Sequence, residues 1–443
     1  MTKSITRAVG LFAAVSQLST VAWSQANSQL VAWGGNDYGQ LNIPTDLNDV
    51  KQIGGGVYHN TVVRNDGTVA SWGANTDWQG TFVGQSNVPT DLTDVKEVAP
   101  YAGWHNVATK TDGTIVFWGA GKTTAPYPNY GQSVVPSGLT GIRRLSAGSY
   151  HTIAILNDTS VSCWGRNLEG QCNTPAGLTS VVQAAGGDAF TTALRADGTT
   201  VCWGMNASGQ CNPPTSLVHA TQVACGYIHA IALNGDSTVQ CWGNNDFGQC
   251  NVPPGLTGVK QVACGSYHTI VLKSDGTVVC WGKNDRGQCD VPAGLAGISD
   301  ICGGFQHTLA LRTNIAISRV IPISGPSSGG TAITILGSNF PAAPIVTIGG
   351  QPASNVVVVS ASKITAVTPP SFPGEATVTV DYGSATAFYY RPECGSDLDQ
   401  DGEVSTADIS IVLLDFGPCY QAPVAAATTG PLPPALPDDS TRP

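Results

Sequence analysis

The stretch HTIVLKSDGTVVCWGKNDRGQC, residues 268–289, spells out one β-hairpin and the loop behind it. An apolar run leads to Asp275-Gly276, and a second β-rich run ends at Trp281. Asp-Gly accepts the positive φ of a tight turn, so the runs on either side predict two antiparallel strands. Asp66-Gly67, Asp112-Gly113 and Asp197-Gly198 repeat the device. The following Gly-x-Asn-x-x-Gly-Gln reads as a tight loop, and a Val-x-Pro link then leads to another short strand. Each unit is therefore a small antiparallel sheet.

Seven copies of the Trp-Gly element stand at Trp33, Trp72, Trp118, Trp164, Trp203, Trp242 and Trp281, spaced 39, 46, 46, 39, 39 and 39 residues apart. A period of about 40 residues marks a propeller, solenoid or array. In the six complete copies 13 residues separate the His position from the Trp. The repeat region opens with a Trp half at residues 30–34 and closes with a His half at 307–311, and these complete a seventh hairpin if the ends meet. That is how a propeller latches shut and hides its strand edges. An open stack would need polar capping repeats, and none is visible. The expected fold is all-β, with a seven-bladed β-propeller over residues 27–313.

The recurring Gly-x-x-His-Thr, Asp-Gly-Thr-Val and Trp-Gly-x-Asn-x-x-Gly-Gln resemble the repeats of the regulator of chromosome condensation family, in the short form of secreted bacterial β-lactamase-inhibitor propellers. The resemblance implies a protein-binding platform. The family's nuclear exchange role does not transfer to a chain that reads as exported and acidic.

Export follows from the N-terminus. Lys3 and Arg7 precede an apolar run from Val9 towards Trp23, and Ser24-Gln25-Ala26 supplies small residues for cleavage, so residues 1–26 read as a signal peptide. The run is shorter than a membrane span and is broken by Ser16, Gln17, Ser19 and Thr20. Thirteen cysteines suit an oxidising destination, secreted or at the cell surface. With a net charge of −10 and no clustered Lys or Arg, nucleic acid and anionic membrane are poor partners.

His59, His105, His151, His229, His268 and His307 share one slot, which Phe190 fills in the remaining blade. Metal ligands sit about 2 Å from their ion, too close for positions spread over seven blades, so these residues read as packing. The repeated tryptophans read as blade-to-blade packing, each indole N–H needing one partner. Cys163 with Cys172, Cys202 with Cys211, Cys241 with Cys250 and Cys280 with Cys289 each stand nine positions apart. In the first three repeats both slots lose cysteine together, which predicts four disulfides inside repeats. Cys225 and Cys264 fall where other blades have Gly or Ala and read as small buried residues, and Cys302 lies one residue off that register; with thirteen cysteines at least one stays unpaired in the monomer, and these three are the candidates.

The repeat breaks in blades two and three. Insertions at residues 76–83 and 121–130 carry Trp78, Phe82, Tyr127 and Tyr130, and Pro100 to Trp104 adds an irregular loop with Tyr101 and Trp104. Aromatic side chains on loops of a rigid scaffold are contact anchors. These six aromatics are the candidate ligand-binding residues, for an extracellular protein or a glycan.

Residues 314–392 lack Cys and Trp and alternate in β-rich runs, predicting an immunoglobulin-like β-sandwich. Ile321-Pro322, Gly329-Gly330-Thr331, Gly337-Ser338-Asn339-Phe340, Thr368-Pro369-Pro370 and Phe388-Tyr389-Tyr390 resemble an IPT/TIG domain, which implies a spacer. In residues 393–422, Asp397, Asp399, Asp401, Glu403 (through its carbonyl), Ser405 and Asp408 have the oxygen spacing of a 12-residue Ca²⁺ loop, with Gly402 at the bend. A short helix over Ala407 to Phe416 follows. Asp at the last loop position resembles a type I dockerin repeat, present here once where dockerins hold two. Cys394 and Cys419 flank this unit and are expected to clamp it. Residues 423–443, rich in Ala, Pro and Thr, read as a disordered tail.

The sum is an exported, non-enzymatic binding or scaffold protein that attaches through a calcium module. The alternatives are a secreted enzyme inhibitor, or a dockerin-bearing polysaccharide-acting enzyme. A glycosidase needs a paired acid and base, and here Glu is scarce and the recurring Asp residues belong to turns.

Overall fold

The computed structural model describes residues 29–392, apart from 48, 100, 124–126, 218, 296, 314, 342–343 and 382. The residues expected to form the signal peptide, the calcium loop, the following helix and the tail, together with Cys394 and Cys419, lie outside the described residues. The described chain forms two compact units that part after residue 314, and its regular elements are all strands.

The first unit is built from seven sheets of three antiparallel repeat strands. In blade 5, for example, Val181–Gly186 pairs with Phe190–Arg195, which pairs with Thr200–Gly204. We number the blades by their tryptophans, so blade 1 holds Trp33. Ile298–Gly303 and His307–Arg312 supply two of its strands, and Leu30–Gly34 supplies the third, in register from Leu30 opposite Leu311 to Gly34 opposite His307. The two halves of the split repeat thus meet and close the ring, as the repeat count anticipates. The first strands of six blades, all but blade 3, line an axial channel of about 220 Å³.

Apolar side chains fill the seams between blades. Trp72 of blade 2 packs with Leu30 and Leu309 of blade 1. Its indole donates to the Gln40 carbonyl at 3.0 Å, and Trp118, Trp242 and Trp281 make the same bond to the carbonyls of Gln85, Gln210 and Gln249. The indoles of Trp33, Trp164 and Trp203 find no such partner among the described residues, contrary to the one-partner expectation.

The six histidines are buried, and each reaches the next blade. His105, His151, His229 and His268 meet the hydroxyls of Thr152, Thr191, Thr269 and Thr308 at 3.0–3.1 Å. His59 and His307 meet the Oδ1 atoms of Asn106 and Asn60 at 3.0 and 2.9 Å. An amide oxygen only accepts, so Nε2 carries the proton there. Phe190 is the exception, and the corresponding position of blade 6 is Ala230, which offers no acceptor. The glycine of Gly-x-x-His is explained too: a Cβ on Gly56 would lie 2.0 Å from Cε1 of His59.

A collar of backbone hydrogen bonds runs through the same turns. Val57 N–H donates to Gly103, Gly103 to Gly148, Ser149 to Gly187 and Asp188 to Tyr227; Tyr227 then donates to Ser266, Ser266 to Gly304 and Phe305 back to Val57, all at 2.9–3.2 Å. Every bond passes from one blade to the next in the same sense.

One loop expectation is corrected. Tyr101–Ala102 is a short strand, parallel to Gly55–Gly56 of blade 2. Glycines allow that approach, since a Cβ on Gly54 would lie 2.9 Å from the carbonyl oxygen of Ala99.

The second unit is a two-sheet sandwich. One sheet orders the strands Ala316–Ile321, Ala332–Ser338, Lys363–Val367 and Ser354–Ser360; the other orders Ser324–Pro326, Gly383–Arg391, Gly374–Val380, Val346–Ile348 and Gln351–Pro352. Ile335, Ile348, Ile364, Val378, Phe388 and Tyr390 pack in its core. The Tyr390 hydroxyl donates to the Pro369 carbonyl at 2.8 Å.

Candidate functional site: an aromatic face on the propeller

The insertions of blades 2 and 3 meet. Asp77 is buried and its Oδ1 accepts from the backbone N–H groups of Gln79 and Thr81, which fixes the first insertion as a tight loop. That loop holds Trp78 and Phe82 outward, 59% and 68% exposed. Trp78 Nε1 donates to the Tyr127 hydroxyl of the second insertion at 2.9 Å, and the rings meet edge to face. Tyr127 continues inward to the Tyr150 hydroxyl, also at 2.9 Å, and Tyr130 packs edge-on against both tyrosines.

Trp104 plays a different part from the one its sequence context suggests. It is buried, and its indole lies 3.2 Å from the Tyr150 hydroxyl, so it backs the cluster instead of projecting from it. Tyr101 is placed in its strand by the backbone. Thus Trp78, Phe82, Tyr127 and Tyr130 stand at the surface cluster, with Trp104 beneath.

The structure extends this patch to residues that repeat-breaking did not flag. Tyr58, Trp104, Tyr150, Tyr227, Tyr267 and Phe305 occupy the two positions before the His slot in six of seven blades. Tyr58 lies edge-on to Trp104 and Phe305, Phe305 meets Tyr267, and Tyr267 meets Tyr227, with ring centres 5.3–5.9 Å apart. The aromatic turns form an almost continuous arc around one end of the axis. The signal was present in the sequence as an aromatic one or two residues before each His, hidden because it is regular.

Blade 5 supplies Asp188 in place of an aromatic ring. Its carboxylate lies 3.9 Å from Arg166, whose guanidinium also sits 6.0 Å from the ring centres of Tyr130 and Tyr150. Burial pushes the Asp188 carboxyl upward, against the pull of Arg166 and of the Ser149 and Tyr227 side chains. Burial also raises Tyr58 to about 12 and raises Tyr150 and Tyr267, so these phenols stay protonated donors.

The cysteine slots come together in all four repeats. Sγ atoms face each other as thiols at 2.7 Å in the Cys163/Cys172 and Cys202/Cys211 pairs, 3.1 Å in Cys241/Cys250 and 2.8 Å in Cys280/Cys289. Cys225, Cys264 and Cys302 are buried, and burial raises Cys225 to about 12 and pushes the other two thiols well up as well. Among the described residues no cluster of three or more His, Cys, Asp or Glu could hold a metal ion, and no helix is long and apolar enough to cross a membrane.

Comparison with known proteins agrees with this architecture. The family described as Regulator of chromosome condensation (RCC1) repeat matches residues 142–171, 181–210, 220–249 and 259–288, and the IPT/TIG domain matches residues 316–392. No curated protein matches the chain. Among solved structures, Prp20p from Saccharomyces cerevisiae, reported with its binding to Gsp1p and histones, is 17% identical over 66% of this chain and 94% of its own, with a TM-score of 0.55. The yeast RCC1 (Prp20) complex with Kap60 gives 16% identity over 71% of this chain and 97% of the other, with a TM-score of 0.54. At these identities the likeness is one of fold. The chain carries RCC1-type repeats arranged as a propeller, followed by an IPT/TIG domain.

Proposed function

We propose that this is an exported binding protein without catalytic activity, whose propeller recognises a protein partner through the aromatic face. The observation that carries the reading is the joined cluster of Trp78, Tyr127 and Tyr150, two insertions bonded to each other and presenting exposed rings beside Phe82. Large aromatics on a rigid support give contact area at small entropic cost and dominate interface energies. RCC1-type propellers in the solved structures engage proteins, which supports a protein over a glycan. Residues Asp397 to Asp408 would bind Ca²⁺ and serve attachment, with the IPT/TIG domain as spacer.

Affinity capture with the full chain tests both parts. Trp78→Ala with Phe82→Ala should weaken retention of the captured protein by about 2 kcal/mol per anchor, without lowering thermal stability. Undiminished capture by that variant defeats the aromatic-face reading. A second component released by calcium chelation, and lost in Asp397→Ala with Asp401→Ala, supports attachment; capture indifferent to calcium removes that role.

A further inference from the structure

At the other end of the blade strands, the third residue of each first strand differs in a telling way. It is glutamine in blades 2, 5, 6 and 7. Gln52, Gln183 and Gln222 each clip the next blade: Oε1 accepts the backbone N–H, and Nε2 donates to the carbonyl, of Val98, Val223 and Val262, at 2.9–3.2 Å. Each clip uses one of the two amide hydrogens and leaves the other as a spare donor.

Blade 4 has Arg144 in this slot. A guanidinium has no acceptor, so it cannot make the clip. Arg144 is exposed and its guanidinium makes no hydrogen bond or ion pair among the described residues, and it lines the mouth of the channel, a funnel of about 700 Å³. Lys260 lines the same funnel, and its ammonium reaches only the Ile298 carbonyl, at 3.5 Å. The one carboxylate in the lining, Asp300, is already engaged: Gln261 Nε2 donates to it at 2.6 Å and Ile301 N–H at 2.9 Å. The funnel therefore holds two little-engaged cations and spare amide donors, against one carboxylate whose Oδ1 already accepts two hydrogen bonds.

We infer that this mouth binds a small oxyanion, a phosphate or carboxylate group, with Arg144 and Lys260 as charged partners and the glutamine amides as neutral ones. Its volume is that of a small-molecule pocket, and charge-assisted bonds to an anion are stronger than neutral ones. This site is independent of the aromatic face.

The test is calorimetric titration of the full chain with inorganic phosphate and with citrate, at constant ionic strength set by chloride. The expected result is saturable one-to-one binding of at least one of the two, and the pair of arms separates phosphate from carboxylate recognition. Arg144→Gln installs the residue four other blades use, and Lys260→Thr installs the residue of blade 6, so the double variant keeps the fold. It should lose affinity by at least about tenfold with an unchanged or raised melting temperature. No saturable binding of either anion, or a smaller loss in the double variant, overturns the inference.

Discussion

Single residues set the hairpin turns, and two of them are strained. Four blades use Asp-Gly, with Gly67, Gly113, Gly198 and Gly276 at φ of 81–85°. Blade 6 has Ser237 at φ 66° in the same place, and blade 4 has Thr159 at φ 67°. A left-handed non-glycine residue costs about 1–2 kcal/mol. Ser237→Gly should therefore stabilise the propeller by about 1 kcal/mol, read as a rise in melting temperature; an unchanged or lower value contradicts the strain. The Asp carboxylate survives the exchange, since Asp236 still accepts from Thr238 N–H and Oγ1. The turn positions were legible from Asp-Gly alone, yet blades 4 and 6 lack the glycine, and there only the surrounding period marks the turn. The Phe190 exception was legible as a residue but not as a relation, because Ala230 lies 40 positions away and only the ring brings the two slots face to face.

Among the elements, the four cysteine pairs tie an outer strand to the loop that follows it. Oxidised protein should show Cys163–Cys172, Cys202–Cys211, Cys241–Cys250 and Cys280–Cys289 by non-reducing peptide mapping. Each closes a loop of about ten residues, and reduction should cost about 2–3 kcal/mol per bridge in the loop-entropy account. Cross-blade pairs or four reduced pairs in exported protein would refute the assignment. The insertions of blades 2 and 3 stood out because they interrupt a period, and they do meet. The aromatics of the inner turns and the glutamine clips recur with the period, so nothing in a single repeat separates contact surface from scaffold. Trp104 looked like a loop anchor for the same reason: its burial is decided by Tyr150, one blade away.

The whole molecule should be acid-labile. Burial pulls His59 and His229 down to about 4 and His105, His151, His268 and His307 to about 3. An unfolded chain protonates its histidines near pH 6.5. The unfolded state thus binds more protons between about pH 6.5 and 3, so stability is intact above that window and falls as pH drops through it. Six histidines give a limiting slope of about 8 kcal/mol per pH unit if all six respond together. Urea unfolding at a series of pH values measures the slope, and a flat profile from pH 6.5 to 4 would show that the imidazoles are not held neutral.

The backbone collar has a further consequence. A helix is a line of aligned peptide dipoles, so it has two poles and leaves orphan groups at both. In the collar the N–H groups all donate the same way round through seven blades, which gives a rotational sense but no pole. No blade is first, and none is last. A permuted chain, opened at any exposed link between blades and joined across the Leu30–Gly34 seam, would rebuild the same circuit.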